Sequence, residues 1–351
     1  MNQRSVTSMQ RVLTTLGHRE PDRVPFFLLA TLHGAKEVGL PIKTYFSDPA
    51  NVVEGQMRLL AKYRHDCIYS FFYAPVEIAA FGGEVIFTDD GPPNSGEPVI
   101  KKTGEIKNLA VPDVKNTPCL EKVLTATHRL KERVKDTVPI IGVVMSPFSL
   151  PVMQMGFDKY FDLMFDKPDL FAHLMQVNQA FCVAWANAQL AAGATAICYF
   201  DPVSSTTITT RDMYLKTGFT VAGQTLPKIN GPTATHMASG RCLPIIEDIA
   251  GTGTAAVGVS CLEDIALVKN ACRGKLTVIG NLNGIEMCRW SSEDAENHVK
   301  AVIAKAGAGG GCILSDNHGE IPFQVPDDVL MAISQAVHTW GRYPLDWTAD
   351  K

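Results

Sequence analysis

From Pro139 onward the chain repeats one unit: a short apolar run of strand length, a polar loop, then a longer segment whose apolar residues recur at helical spacing. The strand-like runs are Pro139–Met145, Ala194–Phe200, Thr233–Met237, Ala255–Ser260, Leu276–Asn281 and Gly311–Leu314. Between and after them lie helical patterns at Asp158–Asn187, Asp212–Ile229, Leu243–Ile249, Glu263–Ala271, Ser292–Lys305 and Val329–Trp340. Runs that are apolar throughout must bury both faces, and strands separated by helices pair in parallel. The first half fits the same scheme more loosely, with strands at Val24–Ala30 and Asp66–Phe72 and helices at Ile42–Tyr63 and Cys119–Val134. About eight such units favour a closed barrel over an open doubly wound sheet. No GxGxxG or GxxxxGK[ST] follows any strand, so the nucleotide-binding fingerprints are absent. The expected fold is α/β: a single-domain (β/α)8 TIM barrel over residues 24–345, preceded by an N-terminal helical extension over 1–23 that contains Ser8–Leu16. The Gly- and Pro-rich stretch Asp89–Val111 reads as a surface excursion rather than a linker.

Composition narrows the function classes. A net charge of -4 leaves no basic footprint for nucleic acid. The opening MNQRSVTSMQRVL lacks the apolar core of a signal peptide, and no apolar run approaches the ~20 residues that span a bilayer. The nine cysteines are scattered without paired spacing, which suits reduced thiols and a cytoplasmic protein. Partners are then small molecules or other proteins, with neither nucleic acid nor membrane among them.

In a barrel, chemistry sits at the carboxyl ends of the strands. The richest such end is Gly309–Pro326, GGGCILSDNHGEIPFQVP, where a short strand runs into Ser315, Asp316, Asn317, His318 and Glu320. Reading the same rim backwards gives Asn281, Cys261, His236 and Asp201. Two histidines and a cysteine among these groups can make a three-ligand zinc site with an open position, the arrangement catalytic zinc requires. Each residue also has a plainer reading. Cys261 can be a small buried hydrophobe, His236 a hydrogen-bonded core histidine, and Asp201, before Pro202, a turn cap. Cys242 is a rival ligand or a helix-start residue, and Glu77 faces the same mouth from the first half if the strand placement there holds.

Several stretches carry a resemblance to a known family. VPIIGVVMSPFSL (Val138–Leu150) and FDLMFDKPDLF (Phe161–Phe171) resemble the barrel core of the uroporphyrinogen decarboxylase superfamily. THMASGRCLPIIEDIAGTG (Thr235–Gly253), VIGNLNGIEM (Val278–Met287), GGGCILSDNHGEIP and the closing GRYP (Gly341–Pro344) are similar to its C-terminal half. The likeness runs from about Glu20 onward and implies a (β/α)8 barrel. True uroporphyrinogen decarboxylases carry an arginine-rich MRQAGRY-type segment that grips the substrate carboxylates. The matching region here, FFLLATLHGAKEVGL, has no arginine from Phe26 to Leu40. A porphyrinogen with eight carboxylates would lack the bidentate cations it needs.

The other branch is the corrinoid-linked methyltransferases of the methylcobamide:coenzyme M type. DPVSSTTITTRDMY (Asp201–Tyr214) is similar to the DPxAS signature of that branch. Its members bind zinc through a His-x-Cys pair and a cysteine in the last strand-end loop. His236 falls on the family histidine, Ala238 stands where the family has its cysteine, and His318 occupies the final-loop position. Cys261 falls where some members have a glutamate near the metal. The resemblance thus implies Zn2+ held by His236, Cys261 and His318, with Asp201, His236, His318 and Glu320 as the catalytic set. It further implies methyl transfer between a small methylated substrate (ether, amine or thiol) and the cobalt of a corrinoid on a separate cognate protein, as in O-demethylation and other one-carbon metabolism. The few thiolates favour an ether or amine donor. Family relatives occur as monomers and homodimers, so assembly stays open. A metal-free decarboxylase or lyase using Asp201 and His318 as acid and base, and a non-catalytic barrel that docks a corrinoid protein, stand as alternatives.

Overall fold

The computed structural model describes residues 6–316 and 319–348. Seven parallel strands form one sheet in the order Ile68–Tyr69, Ile140–Met145, Ala196–Phe200, Thr233–His236, Ala256–Gly258, Thr277–Ile279 and Cys312–Ile313. Each strand neighbours the next in sequence, the topology of a barrel rather than a sheet with a switch point. The ring is completed by the run beginning at Val24. Phe26 bridges Leu314 in parallel, Phe27 N–H donates to Leu314 O (2.8 Å), and on the other side Asp66 N–H donates to Phe26 O (2.6 Å). The expected first strand is therefore in place but makes only a bridge, since Pro25 has no N–H to give to a ladder.

Alternation along the strands separates an inner from an outer face. Phe27, Leu29, Tyr69, Ile141, Val143 and Cys198 belong to one buried cluster inside the barrel. The intervening residues, such as Phe26, Ile68, Val144 and Tyr199, pack outward against the helices. The helix Ser8–Leu16 closes the amino end of the barrel, with Val12 and Leu16 set against the interior cluster. Thr7 and Gln10 form its capping box.

Three long expected helices are interrupted. Asp158–Asn187 resolves into Phe157–Asp166 and Pro168–Ala192, because Pro168 removes a donor and clashes with the preceding turn, so it starts a helix instead of continuing one. Asp212–Ile229 splits at Thr217 into Arg211–Lys216 and Gly218–Thr225, with a 3-10 turn at Leu226–Lys228. Ile42–Tyr63 likewise divides at Asp48, whose carboxylate caps Pro49–Tyr63 through Ala50 N–H. The excursion after Asp89 includes a short antiparallel pairing of Asn94–Ser95 with Val85–Ile86, then a 3-10 helix at Thr103–Asn108. Among the described residues no helix is long and apolar enough to cross a membrane.

Candidate active site

The parallel register sets Met145 beside Phe200, Phe200 beside His236, and His236 beside Gly258. These strand ends form the floor and wall of a cavity of about 380 Å³ at the carboxyl end of the barrel. A cavity that size sits within the roughly 300–1,000 Å³ range of small-molecule sites. Leu29, Val143, Met145, Met153 and Cys198 give it apolar walls, and Tyr69, Phe71 and Phe200 bring aromatic rings. Pro92, Pro93, Asn94 and Ser95 line it from the Gly- and Pro-rich excursion, which is tied to the last loop by Gln324 Nε2 donating to Asp90 O (2.7 Å). The polar groups come from His236 and from the final strand end, Ser315, Asp316 and Glu320.

His236 is held closely. Its ring stacks on Phe200, with centroids 5.2 Å apart and planes 23° off parallel. Gly258 makes room for it, since an added Cβ there would overlap the imidazole. Ala238, at φ 50, turns its N–H back onto His236 Nδ1 (3.0 Å). An N–H can only donate, so Nδ1 is the acceptor and the neutral ring carries its proton on Nε2.

Glu320 joins the two ends of the chain. Its Oε1 accepts the Leu32 N–H, and the next residue, Ile321, donates its N–H to Leu29 O (2.8 Å). Burial pushes the Glu320 carboxyl up to about 8; the Leu32 N–H pulls it down and the Asp316 charge adds to the rise. Ser315 Oγ lies 3.5 Å from Asp316 Oδ1.

The remaining rim residues have other roles. Asp201, expected at the catalytic rim, is not among the described cavity-lining residues, and its side chain braces the strand ends. Its Oδ1 accepts Ser146 Oγ (2.5 Å) and Ser149 Oγ (2.7 Å), and its N–H donates to His236 O (2.8 Å). It thus ties three successive strand ends together. Burial raises its pKa, against the pull of the serine hydroxyls. Asp201→Ala strands two buried hydroxyls and is expected to cost on the order of 3 kcal/mol, read as a lower urea midpoint at unchanged slope. A loss under about 1 kcal/mol would remove the brace from this account.

Cys261 and Asn281 line a second cavity, of about 470 Å³, together with Glu263, Trp290 and His298. Asn281 Nδ2 donates to Ser260 O (2.9 Å) and Glu263 O (3.2 Å). The Glu263 carboxylate in turn receives the N–H groups of Cys242 and Leu243, and also the Cys242 thiol (3.4 Å). Burial, reinforced by Glu263, holds that thiol far above its ordinary range, and Cys242 packs in the hydrophobic core. Glu77 lies behind the wall, its Oε1 accepting Met145 N–H (2.9 Å). His318 and Asn317 lie outside the described residues.

Of the zinc set implied by resemblance, His318 lies outside the described residues, while His236 and Cys261 line neighbouring cavities. The lone pair of His236 at Nδ1 accepts the Ala238 N–H. Cys261 lines the neighbouring cavity, and among the described residues no three His, Cys, Asp or Glu side chains cluster at metal-ligating range. Elemental mass spectrometry of protein purified without added metal tests the implied set directly. One tight zinc per chain, lost in His236→Ala, would support it, and no zinc even after reconstitution would sink it.

Of the residues singled out in the sequence, His236, Asp316 and Glu320 line this cavity; the rings were not among them. Tyr69 with Phe71 and Cys198 with Phe200 are spaced two apart at the ends of strands, the period that aims both members of a pair inward.

A barrel of eight parallel strand segments with a small apolar pocket at its carboxyl end defines the class: a TIM-barrel protein whose chemistry sits in the strand-end loops. The chain belongs to the uroporphyrinogen decarboxylase (URO-D) family, whose sequence model matches residues 7–340. It is similar to the uroporphyrinogen decarboxylase of Idiomarina loihiensis, 26% identical over 94% of this chain and 96% of that one. It is 28% identical to that of Nitrosococcus oceani over 74% of each chain. Among solved structures, a methyltransferase from Methanosarcina mazei superposes with a TM-score of 0.84 at 20% identity, covering 95% of this chain and 99% of that one. A B12-independent methionine synthase from Shewanella shares the fold more distantly, with a TM-score of 0.55 and 11% identity.

Proposed function

We propose that this protein is a methyltransferase that moves a methyl group between a small methylated substrate and the cobalt of a corrinoid carried by a separate protein. The observation that carries this reading is the composition of the barrel-mouth cavity. Its described lining contains no arginine or lysine, while Asp316 and Glu320 bring two carboxyl groups. An eight-carboxylate porphyrinogen needs cations, and this wall offers it acids. The fold likeness to a methyltransferase, extending over nearly the whole of both chains, supports the same reading.

Methyl transfer asks little acid–base chemistry of the protein. It needs the methyl carbon in line between leaving atom and acceptor, and water kept away. The Pro92–Ser95 segment and the walls from Val143, Met145 and Phe200 provide an apolar, roofed setting for this. His236, its ring fixed by Phe200 and Ala238, stands in the wall against which the leaving heteroatom would lie. The direct test mixes the protein with candidate methyl donors and chemically reduced free cobalamin. The expected outcome is a visible-spectrum shift to methylcobalamin that is lost in His236→Ala. Carbon dioxide release from uroporphyrinogen, with no methyl transfer to any corrinoid, would overturn the proposal.

A further inference from the structure

The cavity walls also say what kind of methyl donor they suit. Three aromatic rings, Tyr69, Phe71 and Phe200, come from two strand ends on one side, and Asp316 and Glu320 come from the last strand end. The volume of about 380 Å³ holds a small molecule and no more. Asp316 is 3% exposed, so its surroundings are protein and cavity and not bulk water. The Asp316 carboxylate and three aromatic rings around a small apolar space, with no described lysine or arginine in the lining, favour a positive charge spread over methyl groups. Ring quadrupoles attract such a cation, the carboxylate adds long-range attraction, and the bulky methyl surface satisfies the apolar walls. A neutral ether would gain only the last of these.

We infer that the substrate of this site is a small methylated onium cation, a quaternary ammonium or a sulfonium. This rests on the methyl-transfer reading above for its chemistry, but not for its binding. The step balances without a proton. The acceptor nucleophile gives an electron pair to the methyl carbon, the C–N or C–S bond breaks, and its pair stays on the heteroatom, which leaves as a neutral amine or thioether. Loss of the charge removes the attraction of Asp316 and the rings, so the product is released from the same groups that drew in the substrate.

The test needs no variant to begin with. Isothermal titration compares choline with 3,3-dimethylbutan-1-ol, its uncharged isostere, on the intact protein at low salt. Choline is expected to bind at least about tenfold tighter, the size that desolvated cation–π contacts supply. Asp316→Asn is expected to erase most of that preference while leaving the neutral isostere unaffected. Tetramethylammonium and trimethylsulfonium, run in parallel, tell the ammonium from the sulfonium. Equal binding of choline and the isostere, or binding of neither, overturns the inference. Methyl transfer from neutral ethers without cation preference would overturn it and spare the methyltransferase. Cation preference without transfer to any corrinoid would do the reverse.

Discussion

Replacing Asp66 with alanine is expected to destabilise the protein by about 3–5 kcal/mol, the cost of breaking a buried ion pair from one side. Asp66 is completely buried at the amino end of the barrel. Its carboxylate accepts Arg11 Nη1 (2.7 Å), Arg23 Nη1 (2.6 Å) and Nη2 (3.0 Å), Ser8 Oγ (2.8 Å) and Phe26 N–H (2.8 Å). Those donors belong to the N-terminal helix and to the segment that closes the barrel. Both arginine side chains are less than a tenth exposed, so removing Asp66 leaves Arg23 as a buried charge and Arg11 with Asp22 alone. Thermal unfolding should fall by on the order of 5–10 °C, and limited proteolysis should cut first near Ser8–Leu16. Asp66→Asn keeps the shape and the Phe26 contact and should still lose a large part of the stability. A fall below about 1 kcal/mol in Asp66→Ala would mean the cluster is not what holds the plug.

Glu77→Gln is expected to flatten the pH dependence of stability. Burial pushes the Glu77 carboxyl from its ordinary 4.5 up to about 8, against the pull of the Met145 N–H. Between those values the native protein keeps a proton that the unfolded chain has released. Stability from this group is therefore highest near pH 4.5 and declines until about pH 8, where both states are ionised. The decline amounts to roughly 5 kcal/mol at about 1.4 kcal/mol per pH unit. Glutamine mimics the protonated acid and keeps an acceptor for Met145, so the variant should match wild type near pH 5 and exceed it near pH 8. Glu320, also raised to about 8, leaves a slope of the same sign in both proteins. Urea midpoints that run parallel for the two proteins from pH 5 to 8 would show that Glu77 ionises normally in the fold.

The barrel was legible in the sequence because buried parallel strands are written as unbroken apolar runs, as in Ile140–Met145, where every residue is buried. The first strand was legible by pattern, though Pro25 reduces it to a bridge that only the three-dimensional neighbours Leu314 and Asp66 reveal. Strand-end position found His236 and Glu320. It could not tell a residue that faces the cavity from one that braces it: Asp201 and Asn281 sit at equivalent ends, yet their polar atoms go to Ser146, Ser149, Ser260 and Glu263. Nor could spacing show that Ala238 would turn its N–H onto His236 and so fix which ring nitrogen bears the proton.

The seam between Phe26 and Leu314, fastened by Glu320 on Leu32, has a consequence for how the protein comes into being. Partners 288 residues apart in the chain must meet before the wall is whole. Such a long loop is among the slowest closures to form. On the ribosome, every strand from Ile68 to Ile279 has emerged before the segment that supplies Asp316 and Glu320. Until then the first strand has one neighbour in place of two, and the pocket has no acidic side. The pocket is completed only by the last strand end, and a chain arrested short of residue 314 would expose its unpaired strand edges to aggregation.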